Sequence, residues 1–395
     1  MKKINAGITF PKGYMQAGIH CGIKKNKPDL ALILSQTPVI ACGVFTRNSF
    51  QAAPVIVTKK HLKNKQHLGV IINSGNANCL TGEQGISDAF SVLQALSALI
   101  GCKKEELLVC STGIIGKRLP IDKIESVLGM LLSSLHDADS KKAARAIMTT
   151  DTFEKESAYS IRIGGRQIRL AGIAKGAGMI SPDMATMISI ITTDAKASKT
   201  VLKKALREAV EASFNSITID GDMSTNDTVI LLANGLSGVE VKESGASYYK
   251  FATALKALCL DLAKQIVKDA EGATKFIQIA VNGAKDYIQA KEVGLKIANS
   301  PLFKTMCYGK DPNFGRVAAA CGSIKGPIDT KRVDIYLNGK IAVKHGVAFS
   351  DTLPSSLFQA KEIGVRVELN AGKSKAIIYT SDLSPEYVKI NAAYS

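Results

Sequence analysis

The sequence has no tryptophan, and aromatic residues make up only 6% of its 395 residues. Because single-strand nucleic-acid proteins stack bases on aromatic side chains, this shortage argues against that class. No apolar run approaches the roughly 20 residues that a membrane-spanning helix needs. The two lysines near the N-terminus are not followed by the sustained apolar stretch of a secretory signal peptide. We therefore expect a cytoplasmic protein that neither spans a membrane nor carries a signal peptide.

Several catalytic and metal-binding signatures are also missing. There is no H-E-x-x-H or G-x-S-x-G motif, and no cysteine pair has the C-x-x-C spacing of zinc and redox sites. In Gly113–Arg118, the glycines are too close and Arg118 replaces the hydroxyl residue of a phosphate-binding loop. These absences predict no metal site and no bound cofactor. We expect reduced, mostly buried thiols at Cys21, Cys42, Cys79, Cys102, Cys110, Cys259, Cys307 and Cys321.

The chain is basic, with 51 Lys and Arg against 34 Asp and Glu, a formal net charge of +17. Such a charge suits nucleic acid, a membrane surface or acidic metabolites. The basic residues are scattered along the sequence, whereas an RNA-binding or scaffold protein would need them in one patch. Hydrophobic residues at 46% and charged residues at 22% are ordinary globular values. A length of 395 residues predicts two or three domains.

Short β-rich runs alternate with amphipathic stretches, which predicts an α/β or α+β fold with helices covering sheets. The glycine pair in 157–170 and Asn338-Gly339 predict tight hairpin turns. No linker divides the chain, and the least arbitrary domain division is 1–280 and 281–395. Strands are predicted at Leu30–Leu34, Val39–Phe45, Pro54–Thr58, Leu68–Asn73, Leu107–Cys110, Met187–Ile191, Ser216–Ile219, Val333–Leu337 and Ile341–Val343. Helices are predicted at Ile86–Ile100, Val201–Phe214 with Ser198 as cap, and Tyr249–Asp269.

The most informative stretch is Lys175–Met187. Its glycines at 176 and 178 permit close backbone approach, and Pro182 sets a turn before a β-rich run. Thr186 then stands where loop becomes strand. The spacing of this stretch alone favours a Gly-rich connection with Thr186 as an ordinary strand residue.

Four further polar clusters stand at the ends of predicted strands. In Cys110–Gly116, a Thr-Gly turn can direct a hydroxyl and backbone N–H groups at developing negative charge. The others are Asn73–Asn78, Met148–Thr152 and Asp220–Asp227. Each can be no more than a turn, but together they supply more fixed polar groups than loops usually need.

The motifs, in this order, resemble those of the glutamate N-acetyltransferase family, also called ornithine acetyltransferase, of arginine biosynthesis. The resemblance extends from about residue 11 to 395, and the joint order is specific although each motif is weak. It rests on Asn73–Asn78, Ser111–Gly116, Met148–Thr152, Lys175–Ile180, Met184–Met187, Thr225–Asp227, Asp269–Lys275 and Val388–Ala392.

The resemblance implies that the precursor cleaves itself between Ala185 and Thr186 and that Thr186 becomes the nucleophile. A free α-amine, with an ordinary pKa of about 7.7 to 8.0, can activate the threonine hydroxyl near neutral pH. The implied reaction is ping-pong: Thr186 takes acetyl from N-acetylornithine and passes it to glutamate.

The resemblance also implies residue roles. Thr112 and Gly113 match the family's oxyanion hole. Separately, Lys175 would bind a substrate carboxylate, and Glu271 would meet the amino end of an amino acid. The chain ends at Ser395, four residues beyond Asn391, whereas the family usually has Ser or Thr five beyond, so Ser395 is a weaker match. The implied substrate contacts are Thr149, Lys175, Thr186, Glu271, Asn391 and Ser395.

The implied fold is a layered α/β/β/α sandwich with a smaller C-terminal α/β domain. Implied partners are the small-molecule substrates and an assembly of two α and two β chains, without nucleic acid or membrane. Use of acetyl-CoA as a second donor is left open. An alternative also stays open: an amidase or aminopeptidase with the same kind of nucleophile, which transfers the acyl group to water instead of to glutamate.

Overall fold

The computed structural model describes residues 1–135, 141–181, 187–349 and 352–393. The strands are β1 (Lys2–Ile4), β2 (Tyr14–Ile19), β3 (Leu30–Phe45), β4 (His67–Asn76), β5 (Leu107–Ile114), β6 (Lys155–Ile163), β7 (Arg166–Lys175), β8 (Ile188–Thr193), β9 (Lys196–Ala197), β10 (Thr228–Ala233), β11 (Glu240–Val241), β12 (Phe276–Ala284), β13 (Asp334–Leu337), β14 (Lys340–Lys344), β15 (Val347–Ala348), β16 (Glu362–Glu368) and β17 (Ser374–Ser381). The helices are α1 (Ala53–His61), α2 (Gly82–Ile100), α3 (Ile121–Glu125), α4 (Leu128–Ser133), α5 (Lys141–Ala146), α6 (Lys199–Glu211), α7 (Gly245–Lys268), α8 (Tyr287–Ala298), α9 (Pro301–Tyr308), α10 (Phe314–Cys321) and α11 (Pro385–Ala392).

The chain forms two compact units. The first contains Met1–Gly176, Asp183–Asn215 and Met223–Ile266, and the second contains Ala177–Pro182, Ser216–Asp222 and Val267–Ser395. Both units are therefore built from separated segments. The division into domains at residue 280 stays a prediction, because compactness does not test which parts fold on their own.

Strand β3 organises the first unit. Its first half pairs with β2 and β4, and β4 pairs in parallel with β5. Its second half pairs with β10, from which the sheet continues through β8, β7 and β6 to β1. The long strand thus joins two sheets.

Alternating residues of these sheets line different cores, as expected when both faces of a strand are covered. Val70 and Ile72 of β4 share one apolar cluster with Ile190 of β8, whereas Ile71 belongs to a cluster with Leu93 of α2. On the outer side of the other sheet, α6 packs on β3 and leucines of α7 face β7. The predicted α/β/β/α sandwich is confirmed.

The second unit has its own sheet and core. Its strand order is β15-β14-β13-β16-β12-β17, with β12 and β16 parallel. Helix α8 packs on β12 and β17, and α9 and α10 complete an apolar cluster around Val281, Val293 and Phe303.

Most of the predicted elements are confirmed. Both hairpins form, and the turn residues Asn338 and Gly339 have the positive φ that the sequence requires. Ser198 caps α6 by accepting the N–H of Val201 at 3.2 Å. The eight cysteines are free thiols, and all but Cys102 are buried. In the described part of the chain, no helix is long and apolar enough to cross a membrane.

Four predicted strands are wrong in extent or type. Residues 54–58 lie in helix α1, because proline suits a first helical turn and the apolar side chains of Val55 and Val57 pack inward there. Residues 216–219 contain only a 3₁₀ turn and an isolated bridge from Ile217. The two strands predicted around Pro38 form one strand, whose pairing with β4 shifts between Leu34 and Val39.

Candidate active site

The parallel strands β4 and β5 end at the same edge of their sheet, where Thr112 and Gly113 lie. Gly113 has a φ of 132°, and a Cβ atom there would lie 2.6 Å from the Cα of Gly75 and 2.5 Å from the amide nitrogen of Asn76. Only glycine fits so close an approach. The backbone at Thr112 and Gly113 is therefore held by the neighbouring strand, as an oxyanion hole requires of its donors.

Side chains from three of the polar clusters brace this edge. The Ser111 hydroxyl donates to Asn73 Oδ1 at 2.6 Å, and Asn73 Nδ2 donates to the Asn76 carbonyl at 2.8 Å. Buried Asn226 donates to the carbonyls of Ala77 and Ser111 at 2.7 and 2.8 Å. These clusters are thus one hydrogen-bonded arrangement rather than separate turns.

Asp151 joins two of the predicted substrate contacts, Thr149 and Lys175. Its Oδ2 accepts the Thr149 N–H at 2.9 Å, while its Oδ1 accepts from Lys155 Nζ at 2.6 Å and from the Gly176 N–H at 2.7 Å. Burial opposes ionisation of Asp151, but Lys175, Lys155 and the Gly176 N–H outweigh it and hold its pKa below the usual range. The carboxylate therefore fixes the Thr149 turn against the end of β7.

Lys24 is a residue of this site that sequence reasoning missed. Its Nζ donates to the Met148 carbonyl at 2.5 Å, next to Thr149, and its Cγ lies 3.0 Å from where a Cβ of Gly75 would stand. It therefore lies between the Thr149 turn and the end of β4. Burial lowers the pKa of Lys24 to about 8, and the charge of Lys175 adds to the effect. Within a lysine-rich loop, no sequence signal distinguishes it.

The predicted cleavage site, Ala185 and Thr186, lies outside the described residues. Met187, directly after it, is buried and donates its N–H to Asp227 Oδ1 at 2.9 Å. Asp227 is fully buried, and burial raises its pKa well above the usual value. Its place in a polar cluster was the only sequence signal for it.

In the second unit, Asp220 binds backbone N–H groups of residues that precede the predicted cleavage site. Its carboxylate accepts the N–H groups of Met179 and Ile180 at 2.6 and 2.8 Å and the Tyr387 hydroxyl at 3.1 Å. Burial raises the pKa of Asp220, whereas these hydrogen bonds lower it.

The second unit also brings Glu271 and Asn391 together. Asn391 Nδ2 donates to Glu271 Oε2 at 2.8 Å, and the Glu271 N–H donates to the Ala177 carbonyl at 2.9 Å. A Cβ atom on Gly178 would lie 2.6 Å from Glu271 Cδ, so this glycine makes room for the carboxylate. Glu271 is partly exposed and Asn391 exposed, which leaves both able to meet a ligand. Ser395 lies outside the described residues.

Two sets of predicted residues thus assemble, one in each unit: Thr149 with Lys175 and the β5 edge, and Glu271 with Asn391. Among the described residues, no group of three or more His, Cys, Asp and Glu side chains could hold a metal ion.

Comparison with known proteins gives one consistent result. The model of the ArgJ family matches residues 15–395. The arginine biosynthesis bifunctional protein ArgJ of Bacillus licheniformis is 41% identical over 398 residues, covering 100% of this chain and 98% of the relative. Its counterpart in Dehalococcoides mccartyi is 43% identical over 397 residues, covering 99% of this chain and 98% of the relative.

Among solved structures, the chain is similar to an ornithine acetyltransferase of Mycobacterium tuberculosis complexed with ornithine. The identity is 38% and the TM-score 0.44, with 46% of this chain and 97% of that chain covered.

Proposed function

The chain belongs to the ArgJ family and is an acetyltransferase of arginine biosynthesis, and we propose that it moves acetyl from N-acetylornithine to glutamate through an ester on Thr186. The observation that carries this proposal is the match over nearly the whole chain at about 40% identity. The hydrogen-bonded polar clusters support it, since they fall at the positions that the family resemblance assigns to the site.

Maturation comes first in this proposal. The Thr186 hydroxyl attacks the carbonyl carbon of Ala185, the Ala185–Thr186 C–N bond breaks, and the proton lost from the hydroxyl goes to the new amine. Water then hydrolyses the resulting ester, which leaves a carboxylate on Ala185 and a free α-amine on Thr186. The small side chain of Ala185 leaves room for this attack.

Acetyl transfer then uses the α-amine of Thr186 as base. The hydroxyl attacks the acetyl carbonyl of N-acetylornithine, its proton passes through the α-amine to the departing ornithine, and an acetyl ester remains. The amine of glutamate attacks that ester, and the hydroxyl is restored. Splitting one transfer into two steps lowers the barrier of each.

Thr112 and Gly113 stabilise the tetrahedral oxyanion of both steps in this proposal. The close packing of Gly113 on Gly75 supports the assignment, because donors held before the reaction need not reorganise during it. Removing one such donor typically costs on the order of a hundredfold in rate.

Substrate binding is proposed for Thr149, Lys175, Glu271 and Asn391. A buried cation such as Lys175 can hold the carboxylate common to both amino acids, and Glu271 can meet an ammonium group. The hydrogen bonds from Thr149 to Asp151 and from Asn391 to Glu271 support these roles, since they give the contacts a defined position. Ser395 stays a weaker proposal.

The enzyme acts on small-molecule substrates, and the finer expectations stay proposals. These are two copies each of chains 1–185 and 186–395, a cytoplasmic location, and chemistry that needs no metal or bound cofactor. Acetyl-CoA as a second donor is a question for assay.

Denaturing electrophoresis and intact mass of the purified protein test maturation. The proposal expects pieces 1–185 and 186–395 from the wild type and one uncut chain from Thr186→Ala. An active, folded wild type that stays uncut would contradict the mechanism.

Supplying N-acetylornithine with and without glutamate separates the transferase from the hydrolase alternative. A transferase forms N-acetylglutamate and releases little free acetate when glutamate is present. Acetate release that glutamate leaves unchanged would favour the amidase reading.

A further inference from the structure

Asp227 is a buried carboxyl group that the proposed mechanism does not use. Its Oδ1 accepts the Met187 N–H at 2.9 Å, and its Oδ2 has no hydrogen-bond partner among the described residues. Ser224 lies near the carboxyl and favours its ionised form, without meeting the geometry of a hydrogen bond to Oδ2. Burying a polar atom without a partner is destabilising, so such an atom requires an explanation.

The place of Asp227 along the chain supplies one. In any peptide, the Cα atom of the preceding residue lies about 2.4 Å from the amide nitrogen. The Asp227 carboxyl group therefore binds the residue that directly follows the proposed nucleophile. The hydrogen bond to Oδ1 thus fixes the backbone of Met187, to which the proposed nucleophile is covalently joined.

The neighbour of Asp227 reaches the other half of the site. Asn226 donates to the Ser111 and Ala77 carbonyls at 2.8 and 2.7 Å, directly before Thr112 on β5 and directly after β4. Two consecutive residues directly before β10 thus connect β5 near its end with the residue before β8. Because Asn226 and Asp227 are adjacent in the sequence, their hydrogen bonds hold β5 near its end at a fixed distance from Met187.

We propose that Asp227 is a positioning residue for self-cleavage and acetyl transfer: its carboxyl group holds the Met187 amide through Oδ1 and so fixes the start of β8 relative to the β5 edge that Asn226 anchors. The inference rests on the proposed function of Thr186. It assigns Asp227 no bond-forming step of its own.

Asp194 provides a matched control. Asp194 directly follows β8, whereas Asp227 directly precedes β10, the strand that pairs in parallel with β8. Asp194 is likewise buried and accepts a backbone N–H, that of Arg169 at 2.8 Å. Burial raises the pKa of both carboxyl groups. The two residues differ in that Asp194 lies at the opposite end of the strand from the cleavage site.

The experiment compares full-length wild type, Asp227→Ala, Asp227→Asn and Asp194→Asn. It measures the rate of cleavage into 1–185 and 186–395, kcat and KM of the cleaved fraction, and the melting temperature. Misplacing a reacting group by about 1 Å can cost a hundredfold, so we expect Asp227→Ala to slow cleavage and lower kcat by about a hundredfold. KM should stay near the wild-type value, because Asp227 touches no substrate.

Asp227→Asn keeps an oxygen that can accept the Met187 N–H but replaces Oδ2 by a hydrogen-bond donor. We therefore expect cleavage rate and kcat to fall by only about tenfold in this variant. Asp194→Asn should cleave and turn over at the wild-type rates. Wild-type cleavage and kcat in Asp227→Ala overturn the proposal, as does an equal loss in Asp194→Asn. If Asp227→Ala does not fold, Asp227→Asn decides, and wild-type rates there overturn it. An uncut, active wild type instead refutes the proposed function itself, which keeps the two failures apart.

Discussion

Replacing Gly178 by alanine should displace the Glu271 carboxylate while leaving the backbone undisturbed. Gly178 has no positive φ, so alanine suits its conformation, but the added Cβ would lie 2.6 Å from Glu271 Cδ and 2.8 Å from Oε1. Ordinary contact begins near 3.4 Å. The carboxylate must therefore retreat by about 0.8 Å at Cδ and farther at Oε2, the atom nearest to the added Cβ, so the 2.8 Å hydrogen bond from Asn391 to Oε2 stretches or breaks.

The expected result is a loss of substrate binding rather than of stability. A half-buried side chain can turn away at little cost, so we expect the free energy of unfolding to change by less than about 1 kcal/mol. Loss of a charge-assisted contact costs about 1.5–3 kcal/mol, which corresponds to a KM raised roughly tenfold to a hundredfold.

The assay is steady-state transfer from N-acetylornithine to glutamate, with KM and kcat for each substrate and a melting curve. Gly326→Ala is the matched control, because the same unit leaves open space around that glycine. An unchanged KM in Gly178→Ala would refute the reasoning, since it would mean that the carboxylate moves freely or does not contact substrate. The reasoning would also be refuted if Gly178→Ala and Gly326→Ala had the same KM and kcat and equally lowered melting temperatures.

Two further predictions concern the first unit. Gly113→Ala places a Cβ 2.6 Å from Gly75 Cα at a φ of 132°, so we expect a loss of kcat on the order of a hundredfold and about 1–3 kcal/mol less stability, checked by kinetics and denaturant unfolding. Asp151→Asn leaves Lys155 buried without its charge partner, and we expect a loss of about 3–5 kcal/mol at neutral pH. Because the pKa of Asp151 is lower in the folded state, its stabilisation is present above the unfolded value of about 3.9 and fades as pH falls through the folded value. Below about pH 5, the free energy of unfolding should therefore fall less steeply with decreasing pH in Asp151→Asn than in the wild type. Equal slopes in the two proteins would contradict the ion pair.

Sequence patterns predicted secondary structure best where residues close together in the sequence determine it. Two glycines or Asn-Gly between β runs leave few turn types, and the Ser198 cap needs only residues within one turn. The leucine stripe of α7 was likewise predictable, because a 3.6-residue period with only one apolar face indicates a helix packed on a sheet.

Helix α1 was mispredicted for a tertiary reason. Its β-branched run favours a strand, but the Thr58 hydroxyl exchanges hydrogen bonds with the backbone of Val109 on β5, at 2.6 and 2.9 Å. Such a contact, 51 residues apart, overrides local propensity and leaves no trace in the local pattern.

The same limit applies to the site. Motif order indicated where the polar clusters lie, but not that Asp151 would join Thr149 to Gly176, 25 residues away, or that Lys24 would lie beside them. These partners are set by strand pairing, which the spacing of residues in one sequence does not reveal. Roles of Ala185, Thr186 and Ser395 stay predictions.

The central claim is that Thr186 carries the acetyl group, and mass analysis of the protein after brief exposure to N-acetylornithine without glutamate tests it most directly. We predict that chain 186–395 gains the mass of one acetyl group, that fragmentation places it on the hydroxyl of residue 186, and that added glutamate removes it. An acetyl group found on another residue, or turnover without any acetylated chain, would contradict the mechanism.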